Sequence, residues 1–278
     1  MITPRQEQLR RFRFPILLGA MAAVLAAARG INVLAAFDPL VALLTGLLTS
    51  VAAIALYVWL NRRVEGREAT EVSRNGMWAG LRKGILLGFA LFLATILLIG
   101  VLGGWVSLRW HSVGAFLVTM GMMASVAVNE ELLFRGVVFR ILEERAGSVV
   151  AVVVSSAFFG LTHLVNAGAT LWGAIAIGLA GGTLTAACYL LTRSLWPPIG
   201  LHFAWNFAEL GVFGNATSGT PGGDTGLLHL ALDTSRTALT GGAFGPEASP
   251  VAMLVCAVPA VLLLRRARRA GRFRSRAR

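Results

Sequence analysis

The chain has 278 residues, of which 56% are hydrophobic and only 14% charged, with a mean hydropathy of +0.73. Such a composition belongs to a membrane protein, and the length allows up to about eight bilayer crossings of roughly 20 apolar residues each, with little left for a soluble domain. The net charge of +12 does not point to nucleic acid, because Lys and Arg gather at the ends of apolar runs and in the termini, where they set membrane orientation.

Taken in chain order, a basic N-terminus over 1–13 leads into N-terminal membrane helices within 14–112. These are expected at 14–36, 39–60 and 84–106, the first interrupted by Arg29 and Asn32. The basic start is followed by no clear cleavage site, so the first span is expected to remain. A helical core is expected over 113–213, from apolar stretches at 113–140, 149–166, 171–191 and 196–213. Gly173, Gly178, Gly181 and Gly182 lie along the sixth stretch, where small residues let helices approach closely. The Gly/Thr-rich segment 214–247 reads as an extracytoplasmic loop, poorly ordered or only loosely packed on the surface. A last span at 248–264 precedes a basic tail over 265–278, expected to be solvated near anionic lipid.

The fold class is therefore all-α, a polytopic membrane bundle of about eight helices around a cavity. An even number of crossings puts both termini on one side. Basic residues support that count: Arg62, Arg63, Arg67, Arg74, Arg82, Lys83, Arg140, Arg145 and Arg193 fall in loops on the side of the termini, while the opposite loops carry Arg109 and Arg236 as exceptions. The positive-inside tendency then places both termini in the cytoplasm and the protein in the cell membrane. Cys188 and Cys256 stand alone in apolar segments and read as core residues.

Ionisable and strongly polar side chains are costly in a bilayer and call for a paired structural role or a chemical one. They are Glu130, Glu131 and Arg135 on the fourth segment, His163 on the fifth, and His202, Asn206 and Glu209 on the seventh. If segments four and five form a hairpin turning near Gly147, Glu130 lies 17 residues before the turn and His163 lies 16 after it, which puts them level. The polar run from Arg140 to Arg145 is expected to project into water, which sets Glu130 roughly 15 Å below the inner surface; His202, counted from Arg193, lies roughly 14 Å deep. Glu131 and Arg135 share a helix face as an i,i+4 pair, as do His202 and Asn206. Glu130 points about 100° away from Glu131. The ion pair is accordingly given to Glu131, leaving Glu130 to face His163 and His202. Glu209, nearer the outer surface, reads as interfacial or structural.

The sequences E-E-L-L-F-R-G (130–136), F-G-L-T-H (159–163) and H-F-A-W-N (202–206) resemble the three motifs, EExxxR, FxxxH and HxxxN, of the CAAX-processing and bacteriocin-processing (CPBP, or Abi) intramembrane endopeptidases. The resemblance covers about residues 120–210. It implies a bundle of about eight helices enclosing a cavity and a glutamate-dependent hydrolysis without a required metal. Glu130 would be the general base and His163 would position the attacking water. His202 and Asn206 would form the oxyanion hole, and Glu131 and Arg135 would give structural support. The implied partners are the lipid bilayer and a membrane-associated peptide or protein substrate cleaved near its C-terminus, through a cavity open to the cytoplasmic side; nucleic acid is not expected.

Residue chemistry agrees with such roles. A carboxylate among apolar helices gains basicity, and an imidazole N–H with a carboxamide can stabilise an oxyanion. Three other readings stay open at this point. One is a non-catalytic scaffold or chaperone of the same fold. Another is a proton-coupled transporter, because Glu and His chains also relay protons. The third is a zinc enzyme using Glu130, His163 and His202, although the two-histidine helical zinc motif is absent.

Overall fold

The computed structural model describes residues 4–276; the first three and last two residues of the basic termini lie outside them. Apolar runs free of helix breakers become helices, and the polar residues at their ends act as caps. Asp38 accepts hydrogen bonds from Leu40 and Val41 N–H at the start of α3 (Pro39–Leu60). Ser112 caps α5 (Val113–Glu131), and Ser249 caps α12 (Pro250–Arg269). Each cap satisfies backbone donors that have no partner within the helix.

Seven helices are long and apolar enough to cross a bilayer. Besides α3, α5 and α12, the chain forms α1 (Pro4–Arg11), α2 (Arg13–Leu34), α4 (Met77–Val101), α6 (Arg140–Ala146), α7 (Ser148–Thr162), α8 (Leu171–Ile177), α9 (Thr183–Thr192) and α10 (Trp196–Asn206). Helix α5 continues through wide i→i+5 turns over Leu132–Phe139 into α6 as one crossing, and α8 continues through similar turns over Gly178–Gly182 into α9. The seventh apolar segment, α10 with the wide turns Phe207–Val212, is shorter than these seven helices and is not among them; it lies inside the bundle, with nearly every residue buried. Its fit against α4 depends on missing side chains: a Cβ on Gly84 would lie 2.1 Å from the Pro197 carbonyl oxygen, and one on Gly200 would lie 2.5 Å from that of Leu81. Large exposed apolar residues such as Leu48, Leu86 and Val153 cover the outside, as a lipid-facing surface requires. The protein is a membrane-embedded, multi-pass helical bundle.

The face that carries the termini is closed by ion pairs. Glu65 bonds Arg13, Arg67 and Arg140, at 2.8 Å for each of the last two. Arg193 pairs with Glu143, and Arg67 with Glu71 at 2.7 Å. Arg140 and Glu143 are buried, so the run from Arg140 to Arg145 does not project wholly into water as its polarity alone implies. Partners arriving from 13, 65 and 193 cover it, and spacing along one segment carries no sign of them.

On the opposite face the structure departs from the sequence expectation in two places. The end of the 84–106 stretch leaves the helix after Val101 and forms strand β1 (Trp105–Trp110), which pairs antiparallel with β2 (Leu228–Leu232). The segment 214–247 is ordered and packed, not a loose surface loop. It includes β2 and the short α11 (Thr237–Thr240), and it bonds to the end of α7 through Asn166 Nδ2–H to the Ser218 carbonyl (2.7 Å) and Gly168 N–H to the Gly219 carbonyl (2.8 Å). Phe244 is buried against Gly173, where a Cβ would fall 2.2 Å from its ring. Gly/Thr-rich composition signals turns, but these turns are satisfied by partners distant in sequence.

Glu71 supplies a test of the ionic face. Burial alone pushes its carboxyl up, but Arg67 and the Tyr57 hydroxyl bond the charged form and hold it below its ordinary value of 4.5. A carboxyl lowered on folding contributes stability that is complete above its unfolded value and lost as pH falls through the folded one. The thermal midpoint of the purified protein should therefore stay level from neutral pH to about 5 and fall below about 4. In Glu71→Gln the midpoint should be lower at neutral pH and its acid decline shallower.

Candidate active site

Helix α5 ends on Glu130 and Glu131 where the wide turns begin, a local geometry frequent at functional positions. Glu131 and Arg135 are completely buried. Arg135 donates through Nη1 to Glu131 Oε1 at 2.9 Å and through Nη2 to the Gly182 carbonyl at 2.9 Å. Its guanidinium lies 4.8 Å above the centre of the Phe159 ring. A full charge is thus matched by a carboxylate, a backbone carbonyl and an aromatic face.

His202, on α10, joins the same carboxylate. Its Nδ1–H donates to Glu131 Oε1 at 2.9 Å, while Nε2 stands 3.8 Å from Glu130 Oε2. His163 follows the last turn of α7, and its Nδ1–H donates to the Phe159 carbonyl at 2.8 Å, so Nε2 is the acceptor of the neutral ring. The Phe159 ring packs on both imidazoles, with centroids 4.8 Å from His163 and 5.8 Å from His202. Both rings are held from one side by a bond and from another by the same phenyl group.

Two cavities meet beside these groups. The larger, about 610 Å³, is lined by Glu130, His163 and Asn206 and runs along α2 from Pro15 to Asn32, reaching Thr217 and Thr220 on the loop face. The smaller, about 30 Å³, is lined by His202, Asn206, Phe159 and Glu247, and it has room for about one water molecule. Asn206 borders both. Glu130 is half-buried, and its Oε2 is buried without a hydrogen-bond partner among the described residues. No group of three His, Cys, Asp or Glu side chains among the described residues is arranged to hold a metal ion.

Residues 112–208 match the family model described as Rce1-like, a type II CAAX prenyl endopeptidase. Over this stretch the chain is similar to that domain family. No curated protein and no solved structure matches the chain. The matched stretch contains all seven motif residues, and the matching family is that of CAAX-type endopeptidases.

Within the matched stretch the Glu131–Arg135 pair is present as its spacing implies. His202 is not left to Glu130: its bonded partner is Glu131, and Glu130 faces only the second ring nitrogen. Glu209, one residue beyond the matched stretch, is corrected from an interfacial position. It is 0% exposed, next to the buried Glu247 of the turn Pro246–Ala248. The folded loop covers what helix spacing alone puts near the surface. Glu247 itself, which sequence reasoning missed, accepts from Ser218 N–H at 2.6 Å and from the Ser218 hydroxyl at 2.8 Å. Burial pushes its carboxyl up. Its only sequence signal is a lone acid after Pro246 in a glycine-rich stretch.

Removing one member of a buried ion pair strands the other charge, at about 3–5 kcal/mol. Glu131→Leu and Arg135→Met should each destabilise the detergent-solubilised protein by that order. The double variant should recover part of the loss, giving a coupling of at least about 1 kcal/mol in a thermal or denaturant double-mutant cycle. Additive losses would show that the two side chains act separately.

Proposed function

We propose that the chain is an intramembrane endopeptidase in which Glu130 activates water to hydrolyse a peptide bond of a membrane-associated substrate. The observation that carries this reading is the unbonded Glu130 oxygen beside a cavity that His163 and Asn206 also line, with His202 Nε2 at 3.8 Å. Glu131, by contrast, is committed through its Oε1 to Arg135 and His202.

In the proposed reaction a water lies between Glu130 and His163 Nε2. Glu130 takes one proton, and the water oxygen adds to the carbonyl carbon of the scissile bond. The resulting oxyanion accepts hydrogen bonds from the Asn206 amide and, when His202 carries both protons, from its Nε2–H. Collapse breaks the C–N bond, and the proton held by Glu130 passes to the departing amine. Glu131 and Arg135 fix the His202 ring and take no part in bond making. No metal takes part. The substrate is a peptide or protein held at the membrane. The distribution of basic residues supports a cell-membrane location with both termini cytoplasmic.

Glu130→Gln should abolish cleavage in a membrane-proteome comparison while leaving expression and thermal stability near wild type; retained cleavage would exclude Glu130 as the base, and a wild type that cleaves nothing would readmit a transporter or scaffold. Asn206→Ala should lower kcat by about 10²–10³ with little change in KM, the loss of one oxyanion donor being worth about 3 kcal/mol. Activity should survive a strong chelator. Loss of activity restored by zinc would replace the metal-free reaction with a zinc-dependent one.

A further inference from the structure

Glu209 follows Asn206 on the wide turns that continue α10, and Glu247 lies in the turn Pro246–Ala248 of the loop face. They are 0% and 4% exposed. Neither Glu209 oxygen has a hydrogen-bond partner among the described residues. The side chains that act on it are the Glu247 carboxyl and the Thr217 hydroxyl, which is itself buried without a partner. Gly245 encloses them: a Cβ there would fall 2.1 Å from the Ala216 carbonyl oxygen and 3.4 Å from Glu209 Oε1. Glu247 engages its Oε1 with the N–H and the hydroxyl of Ser218, which leaves Oε2 as an acceptor. The other titratable groups that act on the pair are His163, past the end of α7, and Cys256, on α12. No arginine or lysine pairs with either carboxyl among the described residues. Two neighbouring carboxyls out of water, with no cation between them, do not both ionise, and the missing ligand is a proton. Burial accordingly pushes the Glu247 carboxyl up. A metal ion is the other ligand that two carboxylates share, but no third His, Cys, Asp or Glu stands with them among the described residues.

We propose that Glu209 and Glu247 share one proton, and that this shared proton is a latch that holds the loop face shut and releases it when the proton is lost. In the closed state the Glu209 hydroxyl donates to Glu247 Oε2. Glu247 fixes Ser218, and the Ser218 carbonyl fixes Asn166, whose N–H donates to the His163 carbonyl. Thr217, Ser218 and Thr220 line the end of the large cavity on this face, so the chain of bonds from α10 to α7 is also its closure. Ionisation passes the shared proton to water and leaves two like charges together, which regain hydration only if the loop lifts. A carboxyl that keeps its proton on folding contributes closure that is complete at low pH and lost as pH rises through its folded value. The opposite face has the reverse dependence, because Glu71 loses its contribution as pH falls. The latch therefore answers to pH on the side of the membrane away from the termini.

The test uses the full chain in nanodiscs of neutral phosphatidylcholine. At neutral pH the infrared spectrum of the wild type should contain the carbonyl stretch of a protonated carboxyl group that is missing from Glu209→Gln and kept in Glu130→Gln. Opening is read from Thr220→Cys, as the rate of labelling by a water-soluble maleimide. Peptide masses separate this site from Cys188 and Cys256, and each rate is divided by that of the unfolded protein at the same pH, so thiol ionisation cancels. The normalised rate should rise at least about tenfold from neutral to alkaline pH. With Glu209→Gln added, it should stay low and flat, because the amide donates to Glu247 and has no proton to lose. In Thr220→Cys alone the infrared band should fade over the pH range in which labelling quickens, a comparison that needs no change at position 209. Absence of the band from the wild type, or the same pH profile with and without Glu209→Gln, would overturn the proposal. Slower labelling on adding calcium at alkaline pH would assign the pair to a metal ion and overturn the shared proton.

Discussion

The fully buried Glu131 carboxylate is the constraint around which the core is arranged. An isolated charge at that depth is prohibitive, so the chain must bring a cation and further donors to it. Arg135 comes from the same crossing and His202 from another, both at 2.9 Å from one oxygen. The carboxylate thereby fixes α10 relative to α5, and it fixes which His202 nitrogen points away. Arg135 in turn reaches the Gly182 carbonyl, so a single ionic knot ties three crossings.

Close helix packing makes that knot possible. Gly182 brings its carbonyl to Arg135 because a Cβ at that position would come within 3.1 Å of Ser156 Cα. Phe159 fills the remaining angle, with its face to the guanidinium and both imidazoles around its ring. The phenylalanine of the FxxxH motif thus has a physical duty apart from the histidine it precedes: it is the spacer that keeps two imidazoles and one guanidinium in place in a medium without water. In the proposed reaction, this rigidity commits Glu131 through its Oε1 to Arg135 and His202 and leaves Glu130 beside the large cavity.

Much of this was legible in the sequence because helical periodicity and membrane cost are local. Seven apolar segments long enough to cross a bilayer and the i,i+4 pairing of Glu131 with Arg135 follow from counting residues at a fixed rise. What counting could not supply was the chain folding back over its own ends. Arg140 and Glu143 read as solvated until Arg13, Glu65 and Arg193 are seen to cover them. Glu209 read as interfacial until the turn carrying Glu247 is seen beside it. The i,i+4 rule also hid the second partner of Glu131, because a residue 71 positions away leaves no mark in a local pattern.

The loop face shows what those missing contacts do. A helix bundle with polar groups near its centre must keep lipid out while leaving a space in which a polar reaction can proceed. Asn166, Gly168, Ser218 and Gly219 close that end by backbone and amide hydrogen bonds, and Glu247 holds Ser218 from behind. Neutral donors and acceptors suit this position, since they seal the cavity without adding charge beside Glu130.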